Sequence, residues 1–145
     1  MNYKLPLSVL VVVHSASGEV LLLERALRPG FWQSVTGSVD TADEPLERAA
    51  AREVYEETGI DASAGRLERW NVVYTFEIYP QWRHRFAPDV VYNVEHLFAL
   101  ELPERAAVRV AADEHLGFRW LPWREAAAKC FSWSNRDAIL MLSER

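Results

Sequence analysis

The chain has 145 residues, half of them hydrophobic and 26% charged, and carries a net charge of −5. That length fits one domain, read here as residues 1–145. Six Trp, six Phe and five Tyr supply too much apolar area for a disordered chain, and the acidic balance argues against a basic nucleic-acid-binding surface.

The single cysteine, Cys130, excludes a disulfide framework or a CxxC zinc site. It reads as a buried, inert thiol and suits a reducing, cytoplasmic compartment. The apolar run 5–13 is too short to cross a bilayer, so no membrane association is expected. Residues 7–14 (LSVLVVVH) are rich in β-branched side chains and predict a central strand, in which His14 reads as a hydrogen-bonded core residue. A turn at 15–18 leads to a second strand at 20–23, forming a hairpin, and a short strand at 31–35 follows the Pro29-Gly30 break. Residues 44–58 predict the strongest helix, with Pro45 in its first turn and Gly59 as its C-cap. Strands are expected at 67–79 and 94–102, joined by a loop at 80–93, with a short strand near 118–121. Two helical stretches follow, at 123–129 and 134–142. Ser134 is the expected N-cap of the second, with Asp137 near the positive end of its dipole. Strands mixed with few helices indicate an α+β sandwich.

The helix at 44–58 departs from ordinary amphipathic patterning. At about 100° per residue, Leu46, Ala49, Ala50, Glu53, Glu56 and Glu57 share one stripe. The stripe turns acidic half-way along. Carboxylates at i, i+3 and i+4 repel one another, they lie toward the negative end of the helix dipole, and any burial adds a desolvation cost. A hard divalent cation, Mg²⁺ or Mn²⁺, relieves all three. An isolated acidic cluster of this kind is most often a solvated helix face, so the surrounding sequence decides between the readings.

From Glu44 that sequence runs E-x7-R-E-V-x-E-E-x-G-I through Ile60, preceded by Gly37. It resembles the signature of the Nudix hydrolases, G-x5-E-x7-R-E-U-x-E-E-x-G-U with U aliphatic. One departure exists: six residues, not five, separate Gly37 from Glu44. The resemblance implies a Nudix α/β/α sandwich with a mixed sheet, and Mg²⁺-dependent cleavage of a nucleoside diphosphate linked to some other group, a small-molecule substrate. By motif match Glu53 and Glu57 are metal ligands, with Glu56 third; one of these acids, or a neighbour, takes the proton from water. Arg52 is either their orienting partner, bound to Glu44, or a plain helix salt bridge.

Four further segments, Phe31-Trp-Gln-Ser-Val-Thr-Gly-Ser38, Arg83-His-Arg-Phe-Ala-Pro88, Glu114-His-Leu116 and Ser132-Trp-Ser-Asn-Arg136, are similar to the bacterial dihydroneopterin triphosphate diphosphatases. That similarity implies release of pyrophosphate from dihydroneopterin triphosphate. A nucleotide-sanitising pyrophosphohydrolase acting on dATP or oxidised dGTP is the rival reading; a non-catalytic nucleotide-binding module is a third. Carried over by position, Glu114 is a further metal ligand, and Lys4, Arg25 and Thr36 are substrate contacts. The segment Phe76, Glu77, Ile78 and Tyr79 borders the substrate, and Ser132 supplies a hydroxyl. Phe76 and Tyr79 have ring stacking or core packing open to them. A pterin pocket needs an aromatic or aliphatic wall and a few amide donors, for which Phe31, Trp32 and Gln33 are candidates. The loop Arg83-His84-Arg85 is either a lid over phosphates or solvated, and Glu95 is an acid within possible reach of the metals. Nothing in the sequence specifies an oligomeric state.

Overall fold

The structure is a computed structural model and describes residues 2–144. The β-branched run at the N-terminus forms β1 (Leu7–Ser15), which turns back antiparallel into β2 (Glu19–Arg25). The strand expected at 31–35 is two: β3 (Trp32–Gln33) pairs with β2, and β4 (Val35–Ser38) pairs with the first half of β1. Long antiparallel β5 (Arg66–Glu77) and β6 (Tyr92–Leu102) follow, with β6 parallel to β1. β7 (His115–Pro122) closes antiparallel on β2. The main path through this mixed sheet is β3-β2-β1-β6-β5.

Successive side chains on a strand point to opposite faces, and the core divides accordingly. Val9, Val11 and Val13 with Phe98 and Leu100 pack beneath Ala49, Ala50 and Val54 of α1 (Leu46–Thr58). Leu10 and Val12 with Leu97 and Ala99 pack against α2 (Trp123–Lys129) and α3 (Trp133–Leu140). The expected sandwich is therefore present.

Some boundaries differ from expectation for local reasons. α1 begins at Leu46, because the residue before a proline avoids the helical region and Glu44 turns back to accept the Asp40 N–H at 2.9 Å. Gly59 does end the helix, in the left-handed region (φ 74°), with its N–H on the Tyr55 carbonyl. The cap of α3 is Ser132, whose hydroxyl accepts from Asn135 N at 3.3 Å; Ser134 lies inside the first turn. The loop after β5 contains a 3₁₀ turn, Pro80–Arg85. His14 is only half-buried, with Nδ1 3.1 Å from the Ser15 carbonyl.

Candidate active site

The start of β1, the ends of β2 and β5, β4, and the starts of β6, β7 and α3 converge at one end of the sheet. They enclose a cleft of about 550 Å³. All eight residues expected to touch substrate line it: Lys4, Arg25 and Thr36 on one side, Phe76, Glu77, Ile78 and Tyr79 along β5 and its exit, and Ser132 at α3. Glu57 and Glu114 line it as well.

Glu57 lines the cleft, and the acids of α1 are buried to graded depths. Glu57 is 3% exposed, the Glu53 side chain 13% and the Glu56 side chain 52%. Glu53 fits because Gly37 has no side chain: a Cβ there would overlap the Glu53 carboxyl, with Oε1 only 2.6 Å away. Burial pushes the Glu57 carboxyl well above the usual carboxylate range, and hydrogen bonding to Glu53 and repulsion from Glu53 and Glu114 push it the same way. Glu56 and Glu114 are raised too, by desolvation and then by Glu53. Glu57 Oε1 has no hydrogen-bond partner among the described residues.

Arg52 secures the outer side of this cluster. Its Nε and Nη2 donate to the two Glu44 oxygens at 2.9 and 3.0 Å, and Nη1 donates to Glu53 at 2.7 Å and Glu56 at 3.2 Å. Nη2 also reaches the Ser38 carbonyl at 3.2 Å. The additional loop residue is taken up before the helix, where Glu44 N donates to the Thr41 carbonyl at 3.2 Å. Glu44 and Arg52 still meet side by side.

Facing the acids is an arc of cations. A bulge between Glu24 and Arg25 re-aims Arg25; its Nη1 donates to Gln33 Oε1 at 2.9 Å and its guanidinium lies 4.6 Å from the Trp82 ring centroid. Gln33 in turn donates to the Thr36 hydroxyl at 3.2 Å. Buried Arg25 Nε has no partner among the described residues, a donor left for an incoming anion. Lys4 loses proton affinity through desolvation and the neighbouring Arg85 and Arg25, while Glu53 and Glu114 oppose the shift. Of the basic loop, Arg85 lines the cleft and its carbonyl accepts the Lys4 N–H at 2.8 Å; Arg83 and His84 are exposed to solvent.

The other half of the cleft is aromatic. Trp133 meets Tyr74 at 5.0 Å and Phe76 at 6.4 Å between centroids, and Tyr79 and Trp82 pack on Phe131 at 6.3 and 5.8 Å. Phe76 and Tyr79 therefore line the cleft rather than a closed core. Phe31 and Trp32 do not line it, contrary to expectation. Gln33 faces inward, so its strand neighbour Trp32 must face away, and it packs in the α2–α3 core. Phe31 lies against Phe131 at 5.2 Å instead. Glu95 also departs from expectation: it lines the cleft from the α3 side of the sheet, and the acids of α1 make no contribution to its proton affinity.

Two site residues carried no assigned role from sequence. His115, next to Glu114, is buried with Nε2 3.7 Å from Glu57 Oε1. Burial and Arg25 lower its pKa to about 4, so it is neutral at pH 7. Asn93, near the start of β6, donates to the Ser8 hydroxyl at 2.8 Å. Cys130 is half-buried, its thiol pushed up to about 12 by desolvation, which agrees with an inert role.

The model of the NUDIX domain matches residues 4–142. The chain belongs to the NUDIX family of hydrolases. It is 46% identical over 140 residues to a dihydroneopterin triphosphate diphosphatase of Escherichia coli K12, covering 94% of this chain and 91% of that protein. A protein of the same name from Haemophilus influenzae is 37% identical over 142 residues, covering 96% and 88%. The solved E. coli dihydroneopterin triphosphate pyrophosphohydrolase matches with a TM-score of 0.88 and 44% identity, over 96% of this chain and 95% of that one.

Nudix hydrolases generally use divalent metal ions, and the α1 cluster fits such an ion chemically. Its donors are all carboxylate oxygens, one of them buried without a partner, which is the donor set of a hard cation. Among the described residues no three acidic, histidine or cysteine side chains form a ready-made metal cage. No helix among the described residues is long and apolar enough to cross a membrane.

Proposed function

We propose that this Nudix hydrolase converts dihydroneopterin triphosphate to the monophosphate and pyrophosphate, with Mg²⁺ as its ion and Mn²⁺ able to replace it. The observation that carries the reading is the two-ended cleft: carboxylates and cations at one end, aromatic rings at the other. A planar heterocycle bearing a triphosphate has the same division. The shared name of the two relatives supports this substrate.

In this reading Glu53, Glu57 and Glu114 would hold the divalent ion. When bound it supplies Lewis-acid charge to the phosphates and lowers the pKa of a water. Arg52 keeps Glu53 oriented, and Glu56, half in solvent with raised proton affinity, receives the proton from the attacking water. Lys4 and Arg25 donate charge-assisted bonds to the phosphate chain. Thr36 and Ser132 add hydroxyl contacts, and Phe76, Glu77, Ile78 and Tyr79 border the ring. The domain comprises residues 1–145, and the cytoplasm, where a free thiol persists, is the proposed compartment.

The test is product analysis with purified protein, dihydroneopterin triphosphate and Mg²⁺. Equimolar monophosphate and pyrophosphate are expected, lost with EDTA and restored by added Mg²⁺. Glu53→Gln is expected to fold normally and lose about 10²- to 10³-fold in kcat, as for removal of one preorganised electrostatic group. Release of orthophosphate alone, or full turnover by the variant, would contradict the assignment.

A further inference from the structure

The acids of α1 account for one end of the cleft, but the most deeply placed carboxyl at the other end has no part in that chemistry. Glu95 is 4% exposed and Asn93 6% exposed, two residues apart on β6 and so on the same face of the strand. Both line the cleft. Glu95 Oε1 and Asn93 Oδ1 are each buried without a hydrogen-bond partner among the described residues. The Asn93 amide is oriented by its Nδ2, which donates to the buried Ser8 hydroxyl, so its carbonyl oxygen remains the free atom.

Buried polar atoms left unpaired are uncommon because each costs desolvation free energy. Ser134 hydrogen-bonds the Glu95 carboxyl but Oε1 stays free, so beside the Phe76–Trp133 contact two neighbouring acceptors still await donors. Neither atom suits a phosphate, which would meet a carboxylate as a like charge. Water could serve both, but it would leave a nearly fully buried carboxyl of the site without a function.

Resting on the substrate reading above, we propose that Glu95 and Asn93 form the specificity site for the amino-pyrimidinone edge of the substrate ring. That edge presents a ring N–H and an adjacent exocyclic amino group, two parallel donors matched to the two oxygens of one carboxylate. Asn93 Oδ1 accepts a further N–H. An adenine ring presents a ring-nitrogen lone pair where the ring N–H would be, and that lone pair meets the carboxylate unfavourably. Glu95 is thus a specificity residue for the heterocycle and takes no part in hydrolysis. Rejection of a ring lacking the matching donors follows from leaving the carboxylate buried and unpaired.

The test uses neopterin, which has the ring edge and no phosphates, titrated into the full chain by fluorescence, together with kcat/KM for dihydroneopterin triphosphate and dATP. Glu95→Gln is expected to weaken neopterin at least tenfold and to lower kcat/KM on the pterin triphosphate by a similar factor, mostly through KM. Its kcat/KM on dATP should rise, because the amide can donate to the adenine ring nitrogen that the carboxylate repels, so the preference for the pterin falls by more than tenfold. Glu95→Asp keeps the charge but retracts it, and serves as the second variant should Gln not fold; a threefold or greater loss of neopterin affinity is expected. Unchanged neopterin affinity in the folded variants, no neopterin binding by wild type at millimolar concentration, or equal losses on both substrates would overturn the proposal. Failure of wild type to cleave dihydroneopterin triphosphate while neopterin binds through Glu95 would remove the substrate reading and leave this site standing.

Discussion

Replacing Gly37 by Ala adds one methyl group at the point where β4 meets α1. The backbone there is not in the left-handed region, so alanine fits the chain conformation and removes some unfolded-state entropy, worth about 0.4–1 kcal/mol. The new Cβ would overlap the Glu53 carboxyl, with Oε1 at 2.6 Å against an ordinary contact of 3.4 Å or more. Oε2 and Cδ would lie closer still, and Glu53 is the free end of a flexible side chain, so it must retreat by more than an ångström and loosen its 2.7 Å bond from Arg52. A weakened charge-assisted bond costs about 1–2 kcal/mol, close to the entropy gain, and net stability should change by no more than about 1 kcal/mol. Activity should not be spared. Misplacement by about 1 Å of a group that orients the reaction costs on the order of 10²-fold. Thermal melting and Mg²⁺-dependent pyrophosphate release on the same preparation provide the assay. A normal melt with activity within threefold of wild type would refute the placement of Glu53 in the reaction centre. Gross unfolding would refute the claim that Glu53, and not backbone, is what the methyl meets.

Three other outcomes follow from the same structure. Arg52→Met leaves the largely covered Glu44 with the Asp40 N–H alone as its partner, so urea unfolding should show a loss of about 1.5–3 kcal/mol, and Arg52→Lys should recover less than half because the paired bonds to Glu44 need a guanidinium. Arg25→Ala removes a buried donor whose Nε awaits an anion, and steady-state kinetics should show kcat/KM lowered by about 10- to 100-fold, as for one charged hydrogen bond; an unchanged KM would count against phosphate contact. Burial raises Glu95 from its ordinary value of 4.5 to about 7, with Ser134 opposing the shift. The native state therefore holds that proton more tightly than the unfolded chain, and stability falls as pH rises from about 4.5 to 7. Glu95→Gln lacks this penalty, so its stability relative to wild type should rise across that window by about 3 kcal/mol; a flat difference between pH 4 and 8 would show that Glu95 ionises normally.

The parts of the site that were legible in the sequence are those fixed by local spacing. Glu53, Glu56 and Glu57 had to share a helix face with Leu46, Ala49 and Ala50, and the Glu44–Arg52 pairing follows once the loop turns back at Pro45. Strand residues were harder, because their direction depends on register and on bulges set by distant partners. Phe31 and Trp32 looked like a ring wall as a sequence pair, yet alternation lets only one of Trp32 and Gln33 face the cleft, and pairing with β2 selects Gln33. Arg25 came from family resemblance alone; the bulge that aims it is a property of β2 meeting β7. Glu95 was visible as an acid in an apolar strand, but its remoteness from the metal acids appears only when α1 and α3 are seen to cover opposite faces of the sheet.

The central claim is tested most directly by kcat/KM for pyrophosphate release with Mg²⁺, compared across dihydroneopterin triphosphate, dATP, oxidised dGTP and ADP-ribose. A preference for the pterin of tenfold or more, about 1.4 kcal/mol of differential transition-state binding, is the predicted result. Equal or better cleavage of dATP or ADP-ribose would contradict it and leave the Nudix chemistry with a different substrate.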